Sequence, residues 1–401
     1  MTSAIRALTI SRFFLFLYFG IAIQPLFFVA LGFSLAEILW LESILLLCTI
    51  VFEVPTGLLG DLLGRKTSLV LGNLAILASW IPWLLGSSLT DFAIAHVLVG
   101  LGLAFTSGSD QALIYDDLAR HGRANQMQRV MGQYSALPLL ATAIAGLVGG
   151  FFAPNLDLPE FYQLFQLTVI AQIIALVILL FVPEPPRSAH GRGLAHTAEL
   201  ALTQFRSSVR LLKTNRALLR LTLLSAFTMP FSVLLYRLFP PFFQDLGGSA
   251  AWLGGAVAIA SMVAMVAKLS AHRLEARFGT ERTTLMVTIL PAFLWIALAL
   301  AGGPLVAVGL FVLTDAAGNL RDPIFADYLN RHIPSQSRAT VLSLIALVVS
   351  IYAMIMRPLL ATIGDYSLTL AFVVTGAVLL GGALIFRVTG DQIPARMSRS
   401  R

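Results

Sequence analysis

The 401-residue sequence is poor in charged residues and nearly lacks cysteine. Only 12% of its residues are Asp, Glu, Lys or Arg, whereas 58% are hydrophobic. A water-soluble core of this size could not enclose so many apolar side chains, so we expect the surplus to face lipid. The single cysteine, Cys48, excludes a disulfide within the chain. Together these scarcities exclude an ordinary water-soluble or disulfide-stabilised domain.

Signatures of common enzymes and cofactor sites are also missing. The sequence has no glycine-rich phosphate loop after a strand pattern, no paired Cys or His ligands and no nucleophile elbow. We therefore expect no enzymatic activity, no metal, no cofactor and no ATP-driven reaction. The net charge of +7 does not indicate nucleic-acid binding, because the basic residues follow a pattern of membrane topology.

Long apolar runs, separated by charged, Pro or Gly residues, make up most of the chain. A helix that crosses a bilayer needs about 20 apolar residues and closes its backbone hydrogen bonds internally. The first run begins near Ile10 and lacks a cleavage site, so we interpret it as a retained span. We predict about twelve membrane helices, at residues 10–32, 36–60, 66–87, 91–116, 128–152, 161–183, 217–244, 250–274, 283–302, 304–329, 339–362 and 367–388.

The distribution of Lys and Arg predicts the orientation of these helices. With the N-terminus inside, the loops on the outer side contain no Lys or Arg, and the basic residues concentrate on the inner side. Positive charge marks cytoplasmic loops, so we predict that both termini are cytoplasmic. Four basic residues fall well inside predicted spans: Arg237, Lys268, Arg321 and Arg357.

The domain organisation follows from a polar stretch and an internal repeat. Residues 184–216 are polar and predict a cytoplasmic linker between bundles at 1–183 and 217–390, with a cytoplasmic tail at 391–401. QPLFFVALGFS from Gln24 aligns without a gap with FPPFFQDLGGS from Phe239, and this register places Gly64 on Gly279. A same-sense repeat predicts two pseudo-symmetric bundles of about six helices each.

The segment GLLGDLLGRK, which follows EVPTG and runs from Gly57 to Lys66, resembles the loop signature of the major facilitator superfamily. The resemblance implies an all-α transporter fold of two bundles that work by alternating access. It also implies a cytoplasmic gate, to which we assign Lys268 in addition to the signature residues Gly57, Asp61, Gly64, Arg65 and Lys66. A simpler interpretation of Arg65 and Lys66 is that they are inward topology charges.

Further segments extend the resemblance to both halves: SGSDQALIYDDL from Ser107, HRLEARFGTER from His272 and RDPIFADYLNRHIPSQSRATVLSL from Arg321. The segment from His272, which is the second copy of the loop signature, lacks an Asp at the corresponding position. His96 stands where proton-coupled members commonly have Arg in helix four. The glycine pattern of antiporters in helix five is only approximated, which leaves the direction of transport open.

Ionisable residues within spans are the candidates for proton coupling, because burying them is costly. Asp315 near the middle of helix ten is the first candidate. His96 and Asp110 are fourteen residues apart, which on one continuous helix puts them on one face. Glu53 occupies the register of Lys268 and could bridge to it, and Glu42 is a further candidate. Structural ion pairing or solvent exposure would explain each of them equally simply.

Polar residues on helices one, seven and ten are the candidates for a substrate cavity, since the resemblance places these helices around it. Arg237 could attract an anionic substrate or could extend to the outer interface. Arg357 lies closer to that surface and is not included. Gln24 with Pro25 in helix one and Pro240 with Pro241 in helix seven predict breaks where freed carbonyl groups can face the cavity, although ordinary helix ends would explain the second pair almost as well. The candidate set is Gln24, Tyr236, Arg237, Asn319 and Arg321.

These observations predict a monomeric secondary transporter of the bacterial inner membrane, with a small-molecule substrate, protons and the lipid bilayer as its partners. We favour proton-coupled export of a small amphipathic organic compound. The alternative is proton-coupled uptake of a small organic anion, with Arg237 and Arg321 as counter-charges. A receptor or scaffold that keeps the fold without transport is a third hypothesis, which the intact signature disfavours.

Overall fold

The computed structural model describes residues 2–183, 206–333 and 338–387. Every regular element in these ranges is helical, which confirms the predicted all-α fold. The first helices are α1 (Ser3–Leu15), α2 (Gln24–Ala30), α3 (Leu35–Leu63), α4 (Arg65–Leu85), α5 (Leu89–Thr106), α6 (Ser109–Arg120), α7 (Met127–Phe152) and α8 (Leu158–Leu180). The later helices are α9 (206–214), α10 (Arg216–Thr228), α11 (Phe231–Asp245), α12 (Ala250–Phe278), α13 (Thr280–Ala299), α14 (Pro304–His332), α15 (Arg338–Tyr366) and α16 (Leu368–Ile385).

Ten helical segments within the described ranges are long and apolar enough to cross a membrane. The pairs α5–α6 and α10–α11 each contribute one of these segments. The remaining predicted spans, 10–32 and 304–329, correspond to α1–α2 and α14, which are broken or rich in charge. A polytopic helical membrane protein is confirmed, and the count of about twelve spans stays a prediction.

Side-chain caps fix the starts of helices that follow short predicted outer loops. Ser34 and Glu37 form a capping box at α3, in which each side chain accepts a hydrogen bond from the other residue's backbone amide. Ser88 and Asp91 form the same motif at α5. These caps satisfy amides that have no partner within the helix, so local sequence alone defines where these helices begin.

Three helices that were predicted as single spans are broken. A break at Gln24 and Pro25 was predicted, and α2 begins there, whereas the break predicted at Pro240 and Pro241 was wrong, because both prolines lie inside α11. The break in the fourth span was not predicted. The first separates into α1 and α2 across residues 16–23, the fourth into α5 and α6 at Ser107 and Gly108, and the seventh into α10 and α11 across residues 229–230. Gly108 has φ 72°, a left-handed conformation that glycine adopts readily. Pro25 at the start of α2 and Pro230 just before α11 mark the other two new helix starts.

The internal repeat reappears in the backbone. Gly32 and Gly247 have φ values of 87° and 81°, and Gly64 and Gly279 have 107° and 78°. Both pairs are separated by the 215 positions that relate the two sequence copies. The aligned segments therefore turn the chain in the same way after corresponding helices.

The chain divides into two compact units. The first comprises Met1–Ser188, Tyr236–Met262 and Gly303–Val308, and the second comprises Ala189–Leu235, Val263–Gly302 and Gly309–Arg401. Most of the predicted linker 184–216 and the whole predicted tail 391–401 lie outside the described residues. The predicted boundaries of the two bundles therefore stay predictions.

Each unit has its own apolar core. An aromatic cluster in the first unit packs around Phe27, whose ring meets that of Phe165 edge to face with the centroids 4.9 Å apart. Its other members are Phe28, Trp83, Phe92 and Phe161. Leucine and isoleucine side chains from α10, α14 and α15 form the core of the second unit around Phe325 and Tyr328. The helix breaks and the buried charges described next lie within these two units.

Candidate functional site

A buried charged cluster in the first unit joins α2, α3 and α11. The guanidinium of Arg237 donates to the carboxylate of Glu42 through Nε, over 3.1 Å, and through Nη2. Its Nη1 donates to Oε1 of Gln24 over 2.5 Å. The side chains of Arg237 and Glu42 are 14% and 13% exposed. Because both ions are largely desolvated, each depends on the other for compensation of its charge.

The three residues come from separate parts of the sequence. Gln24 begins α2 immediately after the break in the first helix, Glu42 lies in the first half of α3, and Arg237 lies near the middle of α11. Gln24 and Glu42 belong to the predicted N-terminal bundle, whereas Arg237 belongs to the predicted C-terminal bundle. All three were predicted as site residues, but their contact was not predicted.

Tyr18 and His96 lie close enough to this cluster to interact with the charges of Glu42 and Arg237. The Tyr18 hydroxyl is buried and has no hydrogen-bond partner among the described residues. His96 Nδ1 lies 2.7 Å from the carbonyl oxygen of Phe92. A carbonyl only accepts, so Nδ1 carries the proton in this contact. The sequence predicted His96 and missed Tyr18, whose position in a helix break has no clear sequence signal.

Asp110 is separated from His96 by the break at Gly108, so the premise of one continuous helix face was wrong. Asp110 Oδ2 accepts from Nη1 of Arg12 over 2.5 Å and from the hydroxyl of Tyr134 over 3.0 Å. The guanidinium of Arg12 also lies over the Tyr134 ring, 4.2 Å from its centroid. Arg12 was missed because it stands at the edge of the first apolar run, where a basic residue is typical of topology.

Asp315 and Asn319 lie on α14 in the second unit. Asp315 is buried, with 3% of its surface exposed. Nδ2 of Asn319, one turn further along, donates to the carbonyl oxygen of Asp315 over 2.9 Å. Asp315 is therefore shielded from water, as we expect of a carboxylate that couples transport to protons within a span. Its role in proton coupling stays a prediction.

Two buried arginines in the second unit bind the backbone at the break between α10 and α11. Arg321 donates through Nη1 to the carbonyl oxygen of Thr228, and Arg357 donates through Nε to that of Pro230 over 2.8 Å. Broken helices leave carbonyl groups without intrahelical partners, and cations near a helix C-terminus are favourable. Arg321 thus binds the backbone in this conformation, and Arg357 was missed because the sequence placed it near the outer surface.

The predicted cytoplasmic gate surrounds the junction of α3 and α4. Gly64 forms the turn between them, and Nζ of Lys66 donates to the carbonyl oxygen of Leu180 at the end of α8 over 2.7 Å. Gly57 and Asp61 lie in the last turns of α3, and the structure describes only the backbone of Asp61. Arg65 begins α4.

Lys268 and Glu53 were predicted to form a bridge between the halves. Within the second unit, Nζ of Lys268 lies 3.4 Å from Oδ2 of Asp322, and both side chains are substantially exposed. Glu53 is exposed on α3 of the first unit. Tyr236, the remaining cavity candidate, is partly buried beside Arg237. The bridge and the cavity role of Tyr236 stay predictions.

The described residues contain no group of three or more His, Cys, Asp or Glu side chains that could hold a metal ion. The buried groups described above offer ion pairing, hydrogen bonding and proton exchange at carboxylates within apolar surroundings.

Comparison with known proteins shows which family the sequence matches. The sequence profile described as Major Facilitator Superfamily matches residues 7–356. The MFS-type transporter YxaM of Bacillus subtilis (strain 168) is 21% identical over 324 residues, which cover 80% of this chain and 78% of that protein.

Solved structures share the fold at low sequence identity. The D-xylose-proton symporter superposes with a TM-score of 0.75 at 16% identity and covers 96% of both chains. The nucleoside transporter NupG gives a TM-score of 0.71 at 15% identity, with 96% of this chain and 98% of the other covered. A POT family transporter in complex with 5-aminolevulinic acid gives 0.73 at 14%, with 98% and 96% covered.

Proposed function

The chain belongs to the Major Facilitator Superfamily, and on this premise we propose that it is a proton-coupled secondary transporter that exports a small amphipathic organic compound by alternating access. We place it in the bacterial cytoplasmic membrane with both termini on the cytoplasmic side, as its distribution of positive charge predicts. The relative from Bacillus subtilis supports the bacterial assignment.

The observation that carries the proposal is the buried cluster of Gln24, Glu42 and Arg237. It connects α2 and α3 to α11, which lie in sequence predicted to form opposite halves. The charge pattern places these segments towards the outer side of the membrane. In the proposed cycle the cluster is an outer gate, closed when the ion pair forms and open when it separates.

Protonation of Glu42 supplies the coupling in this cycle. Separating a carboxylate from a guanidinium in apolar surroundings is costly, because neither ion regains a full shell of water. A proton taken up by Glu42 from the outer side removes one charge and so lowers the cost of opening. Inward release of that proton restores the pair, so each turn of the cycle moves a proton inwards while the compound moves outwards.

The contacts of the two cavity arginines favour export over uptake of an organic anion. In this conformation Arg237 is bound to Glu42 and Gln24, and Arg321 donates to a backbone carbonyl group. Arg237 is thus neutralised by a carboxylate, and Arg321 is held by a neutral carbonyl group of the protein. An amphipathic compound needs no such counter-charge.

Transport into or out of proteoliposomes with an imposed pH gradient tests the proposal. The native chain is screened with fluorescent dyes, drugs and organic anions. We expect it to move amphipathic compounds in the direction opposite to that of the protons. Glu42→Gln should transport down a compound gradient but lose the response to pH. Asp245→Asn, at an exposed acid at the end of α11, is the matched control and should behave as the native chain.

Asp315→Asn is run beside Glu42→Gln because Asp315 is another buried acid proposed for coupling. Loss of the pH response in Asp315→Asn alone would transfer the coupling role to α14. A full pH response in both variants would contradict proton coupling through either carboxylate. Movement of organic anions only, in the same direction as protons, would support uptake in place of export.

A further inference from the structure

Five basic side chains lie on the surface of the second unit around the start of α10. Three are on α9 and two are in the first turns of α10, and all five are exposed: Arg206, Arg210, Lys213, Arg216 and Arg220. We refer to these five residues as the basic surface. The proposed transport cycle uses none of them.

The apolar side of α9 holds this surface in place. Leu212 is 8% exposed and belongs to the core of the second unit, and Val209 and Leu211 pack against the same core. Ser208, on the same side, is also buried. The three cations of α9 are spaced by four and three residues, so they share one helix face. α9 is therefore an amphipathic helix whose basic face points away from the core.

No acid on the same segment compensates these cations. The sequence contains no Asp or Glu from residue 200 to residue 244. Asp322 of the same unit pairs with Lys268. Glu281 pairs with Arg387. None of the ion pairs in the described part of the chain involves the basic surface. Like charges three or four residues apart repel each other, so the stability of α9 does not explain them.

The length of the seventh predicted span places the basic surface at the level of lipid headgroups. Its helical segment, Arg216–Asp245, has 30 residues, which correspond to about 45 Å at 1.5 Å per residue. The hydrocarbon core is about 30 Å thick, and both headgroup layers together bring the bilayer to about 40–45 Å. The two ends of the segment therefore lie in the headgroup layers. The charge distribution predicts that the end at Arg216, next to α9, is the inner one.

We propose that the basic surface binds the headgroups of anionic phospholipids in the inner leaflet. Such a lipid presents a phosphate with a net negative charge, which exposed guanidinium and ammonium groups attract. A zwitterionic phospholipid carries the same phosphate with a cation of its own, so it binds more weakly. Because α9 is already packed against the core, its backbone needs no further ordering when a lipid binds.

The test measures lipid binding to the full chain, purified in an uncharged detergent. Phosphatidylglycerol and phosphatidylcholine with the same acyl chains are added in separate titrations, and the rise of the unfolding midpoint gives the apparent affinity for each. At low salt we expect phosphatidylglycerol to bind about tenfold more tightly than phosphatidylcholine. The difference should disappear at about 1 M salt, where the Debye length is about 3 Å.

A double variant connects this binding to α9. Arg206→Gln with Arg210→Gln should lower the apparent affinity for phosphatidylglycerol about tenfold and leave that for phosphatidylcholine unchanged. Arg120→Gln with Arg123→Gln is the matched control at two exposed arginines of the first unit. These lie at the end of α6, which carries acids of its own, and the control should bind both lipids as the native chain does.

Inorganic phosphate at equal ionic strength is the third probe, because a site for a free anion would bind it without lipid. A midpoint shift with phosphate as large as that with phosphatidylglycerol would overturn the proposal. Equal affinities for the two lipids, or equal losses in the two double variants, would also overturn it. Each shift is taken from the lipid-free midpoint of the same variant, so a change in stability does not imitate a loss of binding. The measurement needs no gradient and is independent of the proposed export.

Discussion

At the scale of single residues, this protein compensates its buried cations in two ways. Arg237 and Arg12 bind carboxylates, of Glu42 and Asp110 respectively. Arg321 and Arg357 instead bind backbone carbonyl groups at a helix break. The first kind of contact has an acceptor that loses its charge when it takes up a proton. The second kind has no titratable acceptor, and is therefore suited to hold structure.

The ion pair of Glu42 and Arg237 makes a testable contribution to stability. Arg237→Gln leaves the Glu42 carboxylate buried without its cation, and we expect this to destabilise the chain by about 3–5 kcal/mol. The double variant Glu42→Gln with Arg237→Gln removes both charges and should recover most of that loss. The measurement is the free energy of unfolding of purified protein in detergent at neutral pH.

An exposed pair supplies the control for this measurement. Lys268 and Asp322 lie 3.4 Å apart, and their side chains are 39% and 42% exposed. Exposed pairs contribute about 0–1 kcal/mol, so Lys268→Gln should change stability little. A loss in Arg237→Gln no larger than in Lys268→Gln, or no recovery in the double variant, would contradict a coupled buried pair.

Sequence reasoning found the chemistry of the buried residues but not their partners. Gln24, Glu42 and Arg237 were each predicted, because a polar residue within an apolar run stands out. Their contact depends on how α2, α3 and α11 pack, which hydropathy does not encode. Arg12 and Arg357 were missed for a related reason. Arg12 lies where a basic residue also satisfies the topology rule, and Arg357 lies near the predicted outer surface, where a side chain that extends to the interface would explain it.

At the scale of elements, the break between α1 and α2 is held from both sides by neighbouring helices. The backbone amide of Phe19 donates to Oγ1 of Thr168 on α8 over 3.1 Å. The carbonyl oxygen of Phe19 lies against Gly149 on α7, where a side chain would collide with it. The broken segment therefore depends on a glycine in another helix for its position.

Substitution at Gly149 tests this packing. Gly149→Ala places a methyl group where the Phe19 carbonyl lies, so we expect a destabilisation of about 1–3 kcal/mol and reduced transport. Gly132→Ala is the matched control on the same helix, because nothing lies within 4 Å of the added carbon. Alanine in an open helical position should stabilise by about 0.5–1 kcal/mol. Equal effects of the two substitutions on unfolding would refute close packing at Phe19.

The helix breaks show what local sequence can and cannot predict about elements. Pro25, Gly108 and Pro230 are visible signals, yet proline and glycine are common in membrane helices and often leave the helix intact. Whether a helix breaks depends on whether side chains of neighbouring helices form hydrogen bonds with the backbone groups that the break leaves unpaired. Thr168 does so for Phe19 and Arg357 for Pro230, and both contacts are tertiary.

At the scale of the whole molecule, the long apolar runs correctly predicted a polytopic helical membrane protein. They worked because the bilayer imposes one requirement on every span, an apolar helix with internally closed hydrogen bonds. The repeat between the segments at Gln24 and Phe239 added the internal symmetry, which the matching turns at Gly32 and Gly247 support. The direction of transport and the compound moved depend on cavity geometry, which neither pattern contains.

Orientation is predicted by charge alone and can be measured by cysteine labelling. Cys48→Ala gives a cysteine-free background, into which Ser87→Cys or Arg123→Cys is introduced at exposed positions. With both termini inside, a membrane-impermeant maleimide should label position 87 in intact cells and position 123 only after permeabilisation. The reverse pattern would overturn the proposed orientation, and labelling of both after permeabilisation is the control.

Proton movement driven by a compound gradient tests the central claim most directly. Proteoliposomes are loaded with a compound that the screen identifies, at equal pH on both sides, and the internal pH is followed as the compound leaves. Exchange through Glu42 predicts that protons enter and the internal pH falls, while in Glu42→Gln the compound leaves without a change in pH. A constant or rising internal pH with the native chain would contradict proton-coupled export.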